Sequence, residues 1–242
     1  MIFNLFKSKP TLKDLIPEGF VDIHSHILPG IDDGAKTVGE SKVLISEMKK
    51  LGFSKIITTP HTYPGLYNNT SDSIEKAFEK VNKLIDDDLD LSFGTEYMIE
   101  KSLIEKSRNK KLICIKDNYV LIEMSYISEP IGLYEIIYEI RVNGYKPVLA
   151  HPERYLFINN FKKYLKLKKC GCLFQANLLS FTDYYGKQIN KNLRDLVGNK
   201  LIDFVGSDIH NLNHISAFER KVDFKKINDF EEIIQNNNKF SE

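Results

Sequence analysis

Short apolar runs alternate along most of the chain with segments whose apolar positions recur every three or four residues. Seven runs have the length and punctuation of buried parallel strands: 20–24, 55–59, 91–94, 119–123, 147–150, 172–176 and 203–206. Each is mostly apolar on both faces and bounded by Gly, Pro or Asp, as strands covered on both sides are. The intervening stripes read as helices. Thr37 and Glu40 have capping-box spacing ahead of Leu44, Met48 and Leu51, and Gly52 supplies a stop. Asp72 is placed to cap the next helix, whose stripe is Ile74, Phe78, Val81 and Ile85. Leu133, Ile136, Ile137 and Ile140 precede Gly144, and Ile189, Leu193, Leu196 and Val197 precede Gly198. This alternation predicts an α/β fold, a parallel sheet wound with right-handed crossovers, and seven strands suggest a barrel rather than an open sheet. Residues 1–18 read as an irregular lead-in and 215–242 as a final helix with a polar tail around Asn236 to Asn238. No repeat or linker divides the 242 residues, a length suited to one core, so a single domain is expected.

The formal net charge of +1 gives no electrostatic reason to expect a nucleic acid partner. No run reaches the roughly 18 apolar residues of a membrane span, and Lys7 and Lys9 interrupt the first ten residues, so neither membrane insertion nor a signal peptide is expected. A cytoplasmic location follows. Three cysteines, Cys114, Cys170 and Cys172, make no disulfide framework. Cys170 and Cys172 flank one glycine; buried structural thiols are the favoured reading over a thiolate metal site. No arginine stands six residues after any cysteine, so the loop that supports thiolate phosphatase chemistry is absent. The lysines at 162, 163, 166, 168 and 169 read as a solvated helix face.

The chemistry is concentrated where α/β proteins keep it, at the C-terminal ends of the strands. The first strand runs into Asp22-Ile-His24-Ser-His26 and is followed by Asp32-Asp33. The second ends in Thr59-Pro60-His61, the third in Gly94-Thr95-Glu96, the fourth in Glu123, the fifth in His151-Pro152-Glu153-Arg154 and the seventh in Asp208-Ile209-His210. The sixth ends near Asn177, which adds no obvious ligand. Singly each is a weak signal. Jointly, five of the chain's six histidines and several carboxylates stand at strand ends that a barrel would bring to one rim. Imidazole with carboxylate suits Zn, Mn or Fe. About nine ligands exceed the needs of one ion, so two or three ions are expected, with a carboxylate such as Glu96 bridging two of them. Such a cluster supplies hydroxide near neutral pH and neutralises phosphoryl charge. Arg154 is either a fork for the non-bridging phosphate oxygens or a surface or capping arginine. His214 reads as an exposed loop histidine.

The ordered set H-x-H, Asp, His, Glu, Glu, His, D-x-H resembles the polymerase and histidinol phosphatase (PHP) superfamily over about residues 20–210. Within it, the stretch from Asp22 to Ala35, Thr59-Pro-His61 and His151-Pro-Glu-Arg154 resemble the bacterial capsule-operon manganese-dependent protein-tyrosine phosphatases. The resemblance implies a distorted seven-stranded TIM-like barrel and hydrolysis of phosphotyrosine on the tail of a membrane-bound tyrosine kinase that controls polysaccharide export. It implies Mn2+ in preference to Fe or Zn. It also implies a metal scheme in which His24, His26, Glu96 and Asp208 hold one ion, Glu96, Glu123 and His151 a second, and Asp33, His61 and His210 a third. Asp33 rather than Asp32 is taken as the ligand from the motif, and Arg154, Asp208 and His210 are the catalytic candidates. Family members carry a further arginine soon after D-x-H; here that stretch is Asn211-Leu212-Asn213-His214 and the next arginine is Arg220. The rival reading is a small-metabolite phosphatase of the histidinol phosphate type. A phosphodiesterase or nuclease would need an extended basic and aromatic groove, which the sequence does not show, and a non-catalytic module would have lost ligands.

Overall fold

The computed structural model describes residues 9–83, 85, 89–222 and 227–241; residues 1–8 of the expected lead-in, and 223–226 and 242 of the expected C-terminal segment, lie outside them. Nine strand segments appear among the described residues: β1 (Phe20–Asp22), β2 (Phe53–Thr58), β3 (His61–Thr62), β4 (Asp90–Phe93), β5 (Glu96–Met98), β6 (Tyr119–Glu123), β7 (Lys146–Ala150), β8 (Leu173–Asn177) and β9 (Phe204–Gly206). Every ladder is parallel, in two sheets ordered β1-β2-β4 and β3-β5-β6-β7-β8-β9. All seven expected runs contain strand. Beyond the expected second and third strands, at β2 and β4, the chain forms a further short segment each, β3 and β5. Pro60 has no N–H to donate to a ladder, and at Gly94 a Cβ would stand 2.8 Å from Ile115 Cγ2, so the chain must press against its neighbour there. The pairing therefore forms two ladders, not one closed ring. Main-chain bonds from Thr59 to Ser25 (2.7 Å), His26 to Ile209 (2.9 Å) and Asp208 to His24 (2.7 Å) join the strand ends around the site.

Helices α1 (Val38–Lys50), α2 (Ser71–Asn82), α3 (Ser102–Arg108), α4 (Leu133–Val142), α5 (Lys162–Lys169), α6 (Lys187–Gly198), α7 (Leu212–Ser216) and α8 (Ile227–Asn236) lie between and after the strands. Thr37 caps α1 by accepting from Glu40 N–H, but the Glu40 carboxylate turns to Lys36 N–H, so only half of a capping box forms. The cap of α2 is Thr70, not Asp72. Its hydroxyl accepts from Ser73 N–H while Ser73 Oγ accepts from Thr70 N–H, leaving Asp72 in the first turn beside the helix dipole. Ile85 lies beyond the end of α2. On α5, Lys163 pairs with Glu129, Lys168 with Asp203, and Lys166 covers the Tyr134 ring.

Two apolar layers result. The larger fills the space between strands and helices. A smaller inner one, including Val21, Ile57, Tyr119, Leu121, Val148, Phe204 and Phe240, is enclosed by the strands. Period-two alternation explains the division: along β6, Tyr119 and Leu121 point inward and Val120 and Ile122 outward. The next inward position is Glu123, so the interior changes from apolar to acidic as the strand reaches its C-terminal end. The lower end is sealed by a 3-10 turn, Asn237–Phe240, where a polar tail was expected. Asn237 is fully buried and donates to the carbonyls of Val21 and Val205 while accepting from Val205 N–H, and Phe240 packs on Tyr119 and Phe204. In the lead-in, Leu12 is buried and its N–H donates to Arg220 carbonyl. No helix among the described residues is long and apolar enough to cross a membrane.

Candidate metal centre

The strand ends bring all nine candidate ligands together. Four overlapping groups have ligand atoms within 4.8 Å of one another: His26, Asp33, His61 and His210; His24, His26 and Glu96; His24, His151 and Asp208; and His61, Glu96 and Glu123. His24, His26 and Asp33 come from the segment that follows β1, and the other side chains from β3, β5, β6 and the loops after β7 and β9. His151 and Asp208 have φ of 35° and 51°, left-handed backbone that costs a non-glycine residue energy and turns the chain sharply just past a strand.

Hydrogen bonds behind the imidazoles decide which nitrogen faces inward. Gln175 Nε2 donates to Ala176 carbonyl, which turns Gln175 Oε1 toward His24 Nδ1 at 2.7 Å. A proton held there leaves the His24 Nε2 lone pair pointing into the cluster. Asp32 does the same for His26, with Oδ2 2.8 Å from Nδ1 and Oδ1 accepting from Gly34 N–H. His210 Nδ1 donates to Asp208 carbonyl at 2.9 Å. Asp33, by contrast, places Oδ1 3.4 Å from both His61 Nε2 and His210 Nε2. The two adjacent aspartates thus separate: Asp32 orients an imidazole from behind, and Asp33 faces the cluster. The loop that carries them needs Gly34, where a Cβ would fall 1.9 Å from His26 carbonyl.

The donor set fits divalent cations. His24 Nε2 and His26 Nε2 stand 3.2 Å apart, and each lies 3.2 to 3.4 Å from Glu96 Oε2 and 3.4 Å from Asp208 Oδ1. Ligands at about 2.1 Å from one ion are separated by about 3.0 to 3.4 Å. Glu96 Oε2 is fully buried and makes no hydrogen bond, although His61 Nδ1 is a further 3.1 Å away. Two inward lone pairs and an unsatisfied carboxylate oxygen, out of reach of water, repel one another unless a cation sits among them. Glu96 Oε1 reaches the other way, 3.1 Å from His151 Nε2, so this one carboxylate touches two groups.

Burial sets the electrostatics. It pushes the His151 imidazole down to about 4 and, with the charge of Glu96, lifts the Glu123 carboxyl to about 7. Burial also works against ionised Asp208, but His24, His210 and Arg154 outweigh it and hold that carboxyl well below its ordinary range. Arg154 ends a 3-10 turn begun by Pro152; its Nη1 donates to Asp208 Oδ2 at 2.7 Å, and the guanidinium lies between the rings of Tyr126 and Tyr185, 4.8 and 4.2 Å from their centroids. It is not a surface arginine. It lines a cavity of about 610 Å³ that opens over the cluster, together with Tyr67, Tyr126 and Tyr185.

His214 is not on an exposed loop. It sits half-buried in α7, its Nδ1 3.0 Å from Asp208 carbonyl and its ring against Tyr184 and His210, and it lines the same cavity. Arg220 turns away to Asp183. Two supporting residues carry no metal-site signature in the sequence: Gln175, and Asn177, whose Nδ2 donates to Asp208 Oδ2 at 2.9 Å. Only their inward register on β8, beside a strand end rich in ligands, points to them. The thiols lie elsewhere, and burial pushes Cys172 up to about 12 and Cys114 to about 11.

Parallel strands converging this many imidazoles and carboxylates at their C-terminal ends define a metal-site α/β hydrolase. A family model described as capsular polysaccharide synthesis, CpsB/CapC, matches residues 20–233, and the chain belongs to that family. It is 34% identical over 197 residues to the tyrosine-protein phosphatase YwqE of Bacillus subtilis, covering 79% of this chain and 78% of YwqE. It is 32% identical over 203 residues to the tyrosine-protein phosphatase CpsB of Streptococcus pneumoniae, covering 80% and 84%. Among solved structures, it is similar to a chain from the crystal structures of YwqE and CpsB, described as unique metal-dependent tyrosine phosphatases: TM-score 0.75, 31% identity, 82% of this chain and 84% of that one. The phosphotriesterase homology protein from Escherichia coli matches with TM-score 0.50 over 90% and 92% of the chains; at 12% identity this concerns the fold alone.

Proposed function

We propose that this protein hydrolyses phosphotyrosine on a protein tail, using two or three divalent ions, Mn2+ foremost, held by nine residues. His24, His26, Glu96 and Asp208 would hold the first, Glu96, Glu123 and His151 the second, and Asp33, His61 and His210 the third. Fe or Zn suits the same donors. Ions bound there supply Lewis acidity toward water and toward the phosphoryl oxygens. The observation that carries the reading is the buried, unsatisfied Glu96 Oε2 amid three imidazole nitrogens. In this reading, Arg154 binds non-bridging phosphate oxygens with the arms not engaged by Asp208, and Tyr126 and Tyr185 fix its plane. The aromatic lining of the cavity suits a phenyl ester. A tyrosyl oxygen, with a pKa of about 10, leaves without a strong general acid.

The biological substrate in this reading is the tail of a membrane tyrosine kinase governing capsule or exopolysaccharide synthesis, met in the cytoplasm. The scaffold would be a single domain, a distorted seven-stranded barrel whose two sheets together surround the inner core. The test is to load the chain with Mn2+, count the ions, and compare turnover of a phosphotyrosyl peptide with that of an alkyl phosphate. Hydrolysis of the peptide, abolished by chelation, is expected. A strong preference for the alkyl ester would reject this substrate class in favour of a small-molecule phosphomonoesterase of the histidinol-phosphatase type, and metal content below about one ion per chain would reject the mechanism.

A further inference from the structure

The catalytic cavity has a neighbour. A second cavity, about 650 Å³, opens on the other side of a rim made by Asp33, His210 and Asn211, residues that line both. Its wall includes Val43 and Leu44 of α1 and Leu212 of α7; Leu44 is buried, but Val43 and Leu212 are 46% and 49% exposed. Across the rim, the catalytic cavity carries its own exposed apolar side chains, Leu66 at 62%, Tyr126 at 48% and Ile127 at 87%. Of ten large hydrophobic side chains exposed among the described residues, these five flank one rim. Scattered exposed apolar residues are ordinary, whereas a concentration around one opening marks a binding surface.

We propose that this rim is the middle of a peptide groove. An extended polypeptide crosses it with its phosphotyrosine over the histidine–carboxylate cluster, seating apolar side chains on Leu66 and Ile127 to one side and on Val43 and Leu212 to the other. The proposal rests on the phosphatase reading of the site. Continuity identifies the occupant: the two cavities share walls, and an extended chain, advancing about 3.3 Å per residue, passes from one to the other within a few residues of the phosphotyrosine. A second copy of this protein covering the same face would close the mouth through which phosphate must enter.

The metal-loaded full chain is assayed on p-nitrophenyl phosphate and on two phosphotyrosyl peptides, one with leucine and one with serine on both sides of the phosphotyrosine. The wild type is expected to favour the leucine peptide about tenfold in kcat/KM, the scale of burying one leucine side chain. Val43→Asp and Leu212→Asp, both at exposed positions, are expected to lower kcat/KM on that peptide about tenfold more than on p-nitrophenyl phosphate. Equal wild-type rates on the two peptides, or equal losses on peptide and aryl phosphate, overturn the groove while leaving the phosphatase intact. If Leu212→Asp abolishes self-association in sedimentation without changing peptide preference, the face belongs to a second copy and the proposal fails. No turnover of any phosphotyrosyl substrate rejects the phosphatase reading, and the groove with it.

Discussion

Gln175 makes no contact that its sequence position advertises, yet it fixes the protonation of His24. Its amide is locked by donation to Ala176 carbonyl, so its oxygen has one orientation and His24 Nδ1 one partner. Gly206 makes room for this pair, since a Cβ there would stand 2.6 Å from His24 Cβ and 2.7 Å from Gln175 Nε2. Gln175→Leu keeps the volume and removes the acceptor, freeing His24 to protonate on Nε2 and turn its lone pair away. Manganese affinity measured by calorimetry is expected to fall about 10- to 100-fold while the far-UV spectrum stays native. Unchanged affinity would show that His24 needs no such partner. Asp32 stands in the same relation to His26, which is why the Asp32-Asp33 pair could not be resolved by composition. Two identical carboxylates on adjacent residues differ only in which way the loop turns them, and Gly34 sets that turn.

At the scale of elements, the strands were legible because both of their faces are buried, which writes a continuous apolar run into the sequence. The runs at β6 and β7 match their strands almost residue for residue. What escaped were features decided by single backbone groups. The break at Pro60 follows from a missing N–H, the cap of α2 from whichever hydroxyl reaches Ser73, and α3 is short, with only Leu103 and Ser107 buried. The cluster of candidate ligands was legible because chemistry concentrates at strand ends, and its supports were not, because Gln175 and Asn177 resemble ordinary polar residues. Asn237 shows the same difficulty at the opposite end: in a run of asparagines it reads as solvent-exposed, yet it satisfies three backbone groups of β1 and β9 in a fully buried place. Asn237→Ala leaves those groups without partners. At about 1 to 3 kcal/mol per unsatisfied buried group, partly relieved by relaxation, a loss of about 3 kcal/mol is expected in urea unfolding. A loss under about 0.5 kcal/mol, the range of an ordinary surface change, would mean the turn does not seal the sheet.

For the whole molecule, the cluster is also a tie between the two ladders. His24 and His26 leave the end of β1, in the three-stranded sheet, whereas His61, Glu96, Glu123, His151, Asp208 and His210 belong to the six-stranded sheet or the loops that follow its strands. Between the sheets at this end the main chain contributes only a few hydrogen bonds. Cations shared by His24, His26, Glu96 and Asp208 would therefore hold together parts of the chain from residue 24 to residue 208, a long loop closed at the point where the pairing is interrupted. Binding to the folded state alone stabilises it by about 2.7 kcal/mol for each site at a hundredfold excess over Kd. For a chain of this length, 1 kcal/mol moves the melting temperature by about 2 to 4 °C. Chelation is thus expected to lower the melting temperature by about 5 to 10 °C in a calorimetric scan, with Mn2+ restoring it. Because the thiols are remote and burial keeps Cys114 and Cys172 protonated, a thiol-blocking reagent applied to the native protein is expected to leave both melting temperature and turnover in place. A melting temperature indifferent to chelator would mean that the imidazoles and carboxylates are reconciled by protons alone, without a cation to join the sheets.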